Sequence, residues 1–308
     1  MSSPFKHLQL EFSDLSIINA KPIYFNYSSV HIYVVGCGGT GSFLVPHLCR
    51  LANWFYDADR QVSITLIDFD RIEEKNLYRQ NFCQAELGYN KAQALAVRYK
   101  AMFPKLTIGA IEDRSSAISL DRSTPTVIIG CVDNAAARKS IEELMIEYSG
   151  LVAHGFSQIP CWWIDCGNDY TYGQVAIGNW YSLELDDYIL EPATCTTLPL
   201  PTIQHPELLL QAVRPRVGAR RKGTRTKTDD NETLSCAERA LLNGQSLNIN
   251  SQMAIAAGEM VHQLLNSQLK RMQVEVDIFR GSMKSTWIAQ ENIDRIVERA
   301  KVVIGTKY

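Results

Sequence analysis

The sequence predicts an α/β fold: a doubly wound, mostly parallel sheet with antiparallel additions and a C-terminal extension of helix and loop. Three observations lead there. Short, continuously apolar runs alternate with stretches of helical spacing up to about residue 155, which is how strands buried on both faces of a parallel sheet read. One such run, "HIYVV", passes directly into "GCGGTGSF", a strand followed by a glycine turn and a helix start. The composition, 308 residues with 46% hydrophobic and 21% charged, is that of a globular chain long enough for one large core or two modest ones.

Residues 1–29 carry only weak strand patterns and form an N-terminal extension. After "HIYVV", a helix is expected from Ser42 to about Trp54. "QVSITLIDFD" is a second strand. Between Asn90 and Met102, Ala94, Leu95, Val97 and Ala101 fall at helical spacing. "KLTIGAIE" and "TPTVIIGCVD" are further strands, and "NAAARKSIEELMIEY" is a helix. "GLVAHGFS" and "PCWWIDC" read as strands, and "YGQVAIGNW" as an antiparallel addition. "EPATCTTLPLPTIQHPE" is a loop rich in Pro and Thr. Residues 214–227 hold seven Lys or Arg and read as an exposed loop. A long helix is expected from about Ser246 to Leu269, with a short strand pair ending the chain.

Several function classes drop out. The formal net charge of -2 demands neither nucleic acid nor an acidic membrane as partner. The basic 214–227 stretch lacks interleaved aromatics, so no nucleic-acid partner is expected. No apolar run approaches the roughly 20 residues that span a bilayer, and "MSSPFKHLQLEF" has no apolar signal core. A cytoplasmic protein is expected. Its eight cysteines should then be thiols. None forms C-x-x-C, so a zinc site is not expected.

Gly36, Gly38, Gly39, Thr40 and Gly41 lie in a G-x-G-x-x-G turn behind a strand. There the backbone can approach a phosphate, and the helix N-terminus favours its charge. Asp68 ends the next strand, where an acid can bind ribose hydroxyls. These features alone suit a dehydrogenase, a nucleotide-binding transferase or a bare tight turn. The following segment, "NLYRQNF", narrows the choice. A dinucleotide has no need of Asn76, Arg79 and Gln80 just past the ribose acid, whereas a triphosphate does. Arg79 offers a planar fork of donors. Lys91 begins a helix and can add a point charge. Asp133 ends a later strand at the mouth of the sheet, where a carboxylate can hold Mg²⁺ together with phosphate oxygens. Plain structural roles compete: Arg79 pairing with Glu86, Lys91 solvated, and Asp133 capping the next helix.

Taken together, "GCGGTG", "IDFD" with "NLYRQNF", "GYNKAQA" and "CVDNAAAR" resemble the ThiF/MoeB/HesA superfamily of ubiquitin-activating-type adenylyltransferases, over roughly residues 30–180. The later "WWIDCGNDYTYGQVAIG", "LPTIQHPEL" and "SCAERALLNGQSLNINSQMA" resemble the ThiF-type proteins of PRTRC gene clusters. The resemblance implies a Rossmann-like adenylation domain at 30–182, with residues 183–308 as a crossover loop and an extension packed on it. It implies ATP and Mg²⁺ as cofactors. Asp68 would hold the ribose, with Asp70 in the same nucleotide site. Asn76, Arg79, Gln80 and Lys91 would surround the phosphates, and Asp133 would bind magnesium. It further implies a homodimer and, as partner, a small ubiquitin-like or sulfur-carrier protein whose C-terminal carboxylate attacks the α-phosphate. Arg79, Lys91 and Asp133 are the catalytic candidates.

Many superfamily members then move the acyl group to a cysteine. Cys236 is the candidate, because Ser235-x-x-Glu238 is a capping-box pattern that puts it in a first helical turn. Cys195 is the runner-up. Cys37 and Cys131 are expected to pack, Trp162 and Trp163 to be core or interface, and His154 to be a hydrogen-bonded core residue. Adenylation of a small-molecule or tRNA carboxylate, and a non-catalytic nucleotide-binding scaffold, are the competing readings.

Overall fold

The computed structural model describes residues 16–114, 118–121, 123–153, 159–209 and 248–305. Eight strands form one sheet: β1 Ser29–Val35, β2 Gln61–Ile67, β3 Thr107–Ile111, β4 Thr126–Gly130, β5 Cys161–Asn168, β6 Tyr172–Gly178, β7 Arg271–Asp277 and β8 Ser282–Trp287. Their spatial order is β3-β2-β1-β4-β5-β6-β7-β8. The first five strands pair parallel, and β6, β7 and β8 are added antiparallel. The described helices are α1 Ser16–Asn19, α2 Gly39–Asp57, α3 Lys91–Met102, α4 Ala135–Ala153, α5 Pro201–Gln204, α6 Ile249–Leu265 and α7 Gln290–Gly305.

The central strands β1, β4, β5 and β6 are buried along almost their whole length because both faces are covered, whereas the edge strands β3 and β8 are more exposed. Alternate residues point to opposite sides of a pleated sheet, so the central strands feed two cores. Ile32, Val34, Ile129 and Trp162 pack with Leu44, Leu48, Leu95 and Met260 from α2, α3 and α6. Tyr33, Val35, Ile128 and Trp163 pack with Ile141 and Met145 of α4 on the other side. The adjacent tryptophans thus fill two different cores, both fully buried.

Three sequence expectations are corrected. The first half of "GLVAHGFS" is helix and not strand: residues 150–153 are the last turn of α4, and 154–158, including His154, lie outside the described residues. A short apolar run cannot be told from a buried helix end by periodicity alone. The strand pair near the end, β7–β8, is followed by a helix, α7. Helix α2 is longer than the helix expected from Ser42 to about Trp54, starting at Gly39 inside the glycine turn and ending at Asp57.

Candidate active site

In the order β3-β2-β1-β4-β5, the connections leave in opposite directions from β1 and β4. The crevice at the C-terminal ends of those two strands is the usual ligand position of an open α/β sheet. It holds a cavity of about 340 Å³, within the size range of small-molecule sites.

The glycine turn forms one wall. Gly36 has φ +89°, and a Cβ there would lie 2.7 Å from the Cys131 carbonyl oxygen. A Cβ at Gly41 would lie 1.9 Å from the Gly36 carbonyl oxygen. Both positions are glycine because the turn packs against itself and against β4. Helix α2 then starts at Gly39 with no side chain capping it. Its first amide N–H groups have no intrahelical partners, and they face the cavity together with the positive end of the helix dipole.

Asp68 closes the inner end of that wall. Its Oδ2 accepts from the Cys37 amide at 2.7 Å, and its Oδ1 accepts from the Asp70 amide at 2.8 Å. Burial pushes its carboxyl above the ordinary range, with the Asp70 amide, Lys91 and the Cys37 amide pulling back. Each oxygen retains a lone pair for a hydroxyl donor. The Lys91 ammonium, at the first position of α3, donates to Asp70 Oδ2 at 2.7 Å and is only 7% exposed. Asn90 caps α3 by accepting from the Gln93 amide at 3.0 Å, and its Nδ2 donates to the Asp68 and Asp70 carbonyls at 2.7 and 3.1 Å. One side chain thus ties the Asp68–Asp70 loop to the helix that carries Lys91.

The short 3₁₀ turn Glu74–Asn76 supplies the next wall. Asn76 is buried, its Oδ1 accepting from the Glu73 amide at 2.9 Å. Arg79 and Gln80 follow and line the cavity. The Gln80 Oε1 is buried without a hydrogen-bond partner among the described residues. Asp133, exposed, faces the glycine turn from the end of β4.

Of the residues singled out in the sequence, Gly36, Gly38, Gly39, Thr40, Asp68, Asp70, Asn76, Arg79, Gln80, Lys91 and Asp133 line this one cavity. Gly41 does not; it packs behind the turn. The competing structural roles are excluded. Glu86 pairs with Arg98, whose Nε donates to Oε1 at 2.9 Å, rather than with Arg79. Lys91 is buried, and the cap of α4 is Asn134, accepting from the Ala137 amide at 2.8 Å, rather than Asp133. Cys236 lies outside the described residues, as does the basic 214–227 segment. Cys195 is fully buried, and burial pushes its thiol up to about 12, so the runner-up nucleophile is a core residue. Cys131 is half-buried; it packs against the core and also lines the cavity.

Sequence reasoning missed Asn168, Asn250 and Arg138. Asn168 ends β5 and Asn250 lies in the first turn of α6, and both line the cavity. Arg138 is buried against Asp165, its Nε 3.1 Å from both carboxylate oxygens, and its Nη2 donates to the Val132 carbonyl at 2.7 Å. That bond holds the backbone just before Asp133. Phe69 is also in the lining, half exposed, with the Arg114 guanidinium 4.4 Å from its ring centroid.

Among the described residues, no three His, Cys, Asp or Glu side chains gather into a metal cluster. Asp133 would hold a cation only with oxygens from a ligand, the arrangement Mg²⁺ favours with phosphates. The uncapped helix end, the cations at 79 and 91 and the carboxylate at 133 fit a phosphate chain with its metal. No described helix is long and apolar enough to cross a membrane.

Comparison with known proteins identifies a family. The ThiF family model matches residues 19–174, just over half of the chain. Ubiquitin-like modifier-activating enzyme 5 of Bombyx mori is 27% identical over 156 residues, which cover 46% of this chain and 36% of that protein. Similar solved structures include the microcin C7 biosynthetic enzyme MccB in complex with N-formylated MccA, with TM-score 0.48 and 14% identity over 84% of this chain and 64% of that one. Escherichia coli MccB with ATP gives 0.47 and 14%, over 84% and 63%. The chain therefore spans about a third of the curated relative and under two thirds of these structures.

Proposed function

The chain belongs to the ThiF family, and from that premise we propose that it is an adenylyltransferase that activates the C-terminal carboxylate of a small ubiquitin-like or sulfur-carrier protein. The observation that carries this reading is the convergence of three separate segments on an uncapped helix N-terminus: Arg79, Lys91 and Asp133 all line the cavity into which α2 opens.

The carboxylate oxygen attacks the α-phosphorus of ATP, and the bond to the β,γ-pyrophosphate breaks. An acyl-adenylate and pyrophosphate result. The nucleophile is already ionised, so no general base is needed. The chain contributes position and charge. Asp68 orients the ribose, the α2 amides and Arg79 face the phosphates, and Lys91 exchanges Asp70 for a phosphate oxygen. A magnesium ion held by Asp133, when bound, would neutralise phosphate charge. Thioester transfer to Cys236 and a homodimeric state belong to the same proposal.

The test is ATP–pyrophosphate exchange with purified candidate carriers. Carrier-dependent exchange is the expected result. Exchange or AMP formation without any carrier would move the acceptor to a small molecule or tRNA, and absence of exchange under all conditions would reject the reading. Intact-mass analysis with carrier and ATP checks the thioester: a reductant-sensitive adduct is expected on the wild type and not on Cys236→Ala.

A further inference from the structure

Asn250 is 1% exposed and polar, and its side-chain hydrogen-bond partners are far away in sequence. Its Oδ1 accepts from Asn168 Nδ2 at 2.7 Å, and its Nδ2 donates to the Arg79 carbonyl at 3.2 Å. Asn168 Nδ2 also lies 3.4 Å from Thr40 Oγ1. One carboxamide thereby joins the end of β5, the start of α6 and the backbone that carries the Arg79 guanidinium.

It also occupies the space of a missing side chain. A Cβ built on Gly39 would fall 2.5 Å from Asn250 Oδ1, 2.8 Å from its Cγ and 2.9 Å from its Nδ2. The amide is the far end of a side chain, but moving it breaks the hydrogen bonds just named. Gly38, by contrast, meets nothing nearer than 3.5 Å. Adjacent glycines in one motif therefore answer different demands. Gly38 leaves the cavity open, and Gly39 is glycine to admit Asn250.

We propose that Asn250 is a positioning residue of the nucleotide site, fixing the N-terminus of α2 against the Arg79 backbone so that both face one phosphate chain. The proposal rests on reading the cavity as an ATP site. Only Asn meets every demand. Leu offers neither donor nor acceptor, Asp lacks the donor and adds a negative charge beside the phosphates, and Gln carries an extra methylene toward Gly39. The chemical leverage is large, because a displacement of about 1 Å between reacting groups costs on the order of 10²-fold.

The experiment measures dissociation constants for Mg-ATP and for adenosine, with thermal midpoints, on the wild type, Asn250→Ala, Asn250→Asp, Gly39→Ala and the Gly39→Ala/Asn250→Ala double variant. Asn250→Ala should weaken Mg-ATP by about tenfold, the scale of a lost buried hydrogen bond. Asn250→Asp keeps the shape, so it guards against simple misfolding. It should weaken Mg-ATP at least as much while adenosine stays within about twofold, since the added charge acts on phosphates. Gly39→Ala should cost about tenfold alone and under about threefold in the Asn250→Ala background, the non-additivity expected of residues in contact.

Three results would overturn the proposal. The first is wild-type Mg-ATP affinity in both Asn250 variants. The second is parallel loss of ATP and adenosine binding with the thermal midpoint. The third is an equal cost of Gly39→Ala in both backgrounds. A wild type that binds no Mg-ATP would defeat the ATP reading itself, and the positioning role would then be judged by the thermal-midpoint cycle alone, where additivity rejects it.

Discussion

Lys91 shows how the site is assembled at the scale of single residues. It begins a helix, a position usually open to water, yet its ammonium is enclosed and held at 2.7 Å by Asp70, a half-exposed carboxylate. A phosphate entering the crevice would compete for the same ammonium. Arg79→Ala and Lys91→Ala are each expected to lower pyrophosphate exchange by about 10²–10³, the loss typical of removing one charge-stabilising donor, while Arg98→Ala, outside the cavity, is not. Asp133→Asn should raise the Mg²⁺ concentration needed for half-maximal exchange, read by magnesium titration. Asp68, Asn76, Arg79, Gln80 and Asp133 were legible in the sequence because each lies within a dozen or so residues of a strand end that the apolar pattern marks, and Lys91 because it opens the next helical pattern. Asn168 and Asn250 were not. They meet each other across 82 residues, and Asn250 meets Arg79 across 171, and an isolated Asn carries no periodic signal.

At the scale of elements, α4 is tied to the sheet through a buried ion pair. Arg138 joins Asp165 of β5 and the Val132 carbonyl, so one side chain sets both the seating of the helix and the loop that presents Asp133. Burial pushes the Asp165 carboxyl above its ordinary value, while Arg138 pulls it down. The folded chain therefore keeps a proton on Asp165 over a window where the unfolded chain, with a carboxyl near about 4, has released it. Stability falls as pH rises through that window. Arg138→Leu removes the opposing charge and widens the window. The expected loss is about 3–5 kcal/mol at pH 8 and less at pH 5, checked by urea unfolding at both values. Element types were legible where a pattern ran long. The α4 pattern was clear until its last turn, where "GLVA" is apolar on every side and no period separates helix from strand. Helix α7 is not among the sequence expectations, although Ile293, Val297 and Ala300 are all buried at helical spacing.

For the whole molecule, the sheet order puts the glycine turn after β1 and the Asp133 loop after β4 on the two sides of one crevice, on a scaffold buried from both faces. A ligand spanning that crevice couples its binding to the stability of the fold. Mg-ATP at 100 times its dissociation constant should add about 2.7 kcal/mol, which is a rise of several degrees in thermal midpoint, and NAD at the same concentration should add none. Differential scanning calorimetry checks both. The doubly wound class was legible because apolar strands with helices between them admit few other arrangements. The partnership of α6 with the crevice was not, since it depends on how the chain returns over the 82 residues between Asn168 and Asn250. The turn at 36–41 has a further consequence. Its first and last glycines are demanded by contacts within the protein, where a methyl group at 41 would collide with the carbonyl at 36. A descendant stripped of every charged group in the crevice would still have to keep that pair. The glycine signature alone certifies a bend in the backbone, and the catalytic claim has to be carried by the side chains around it.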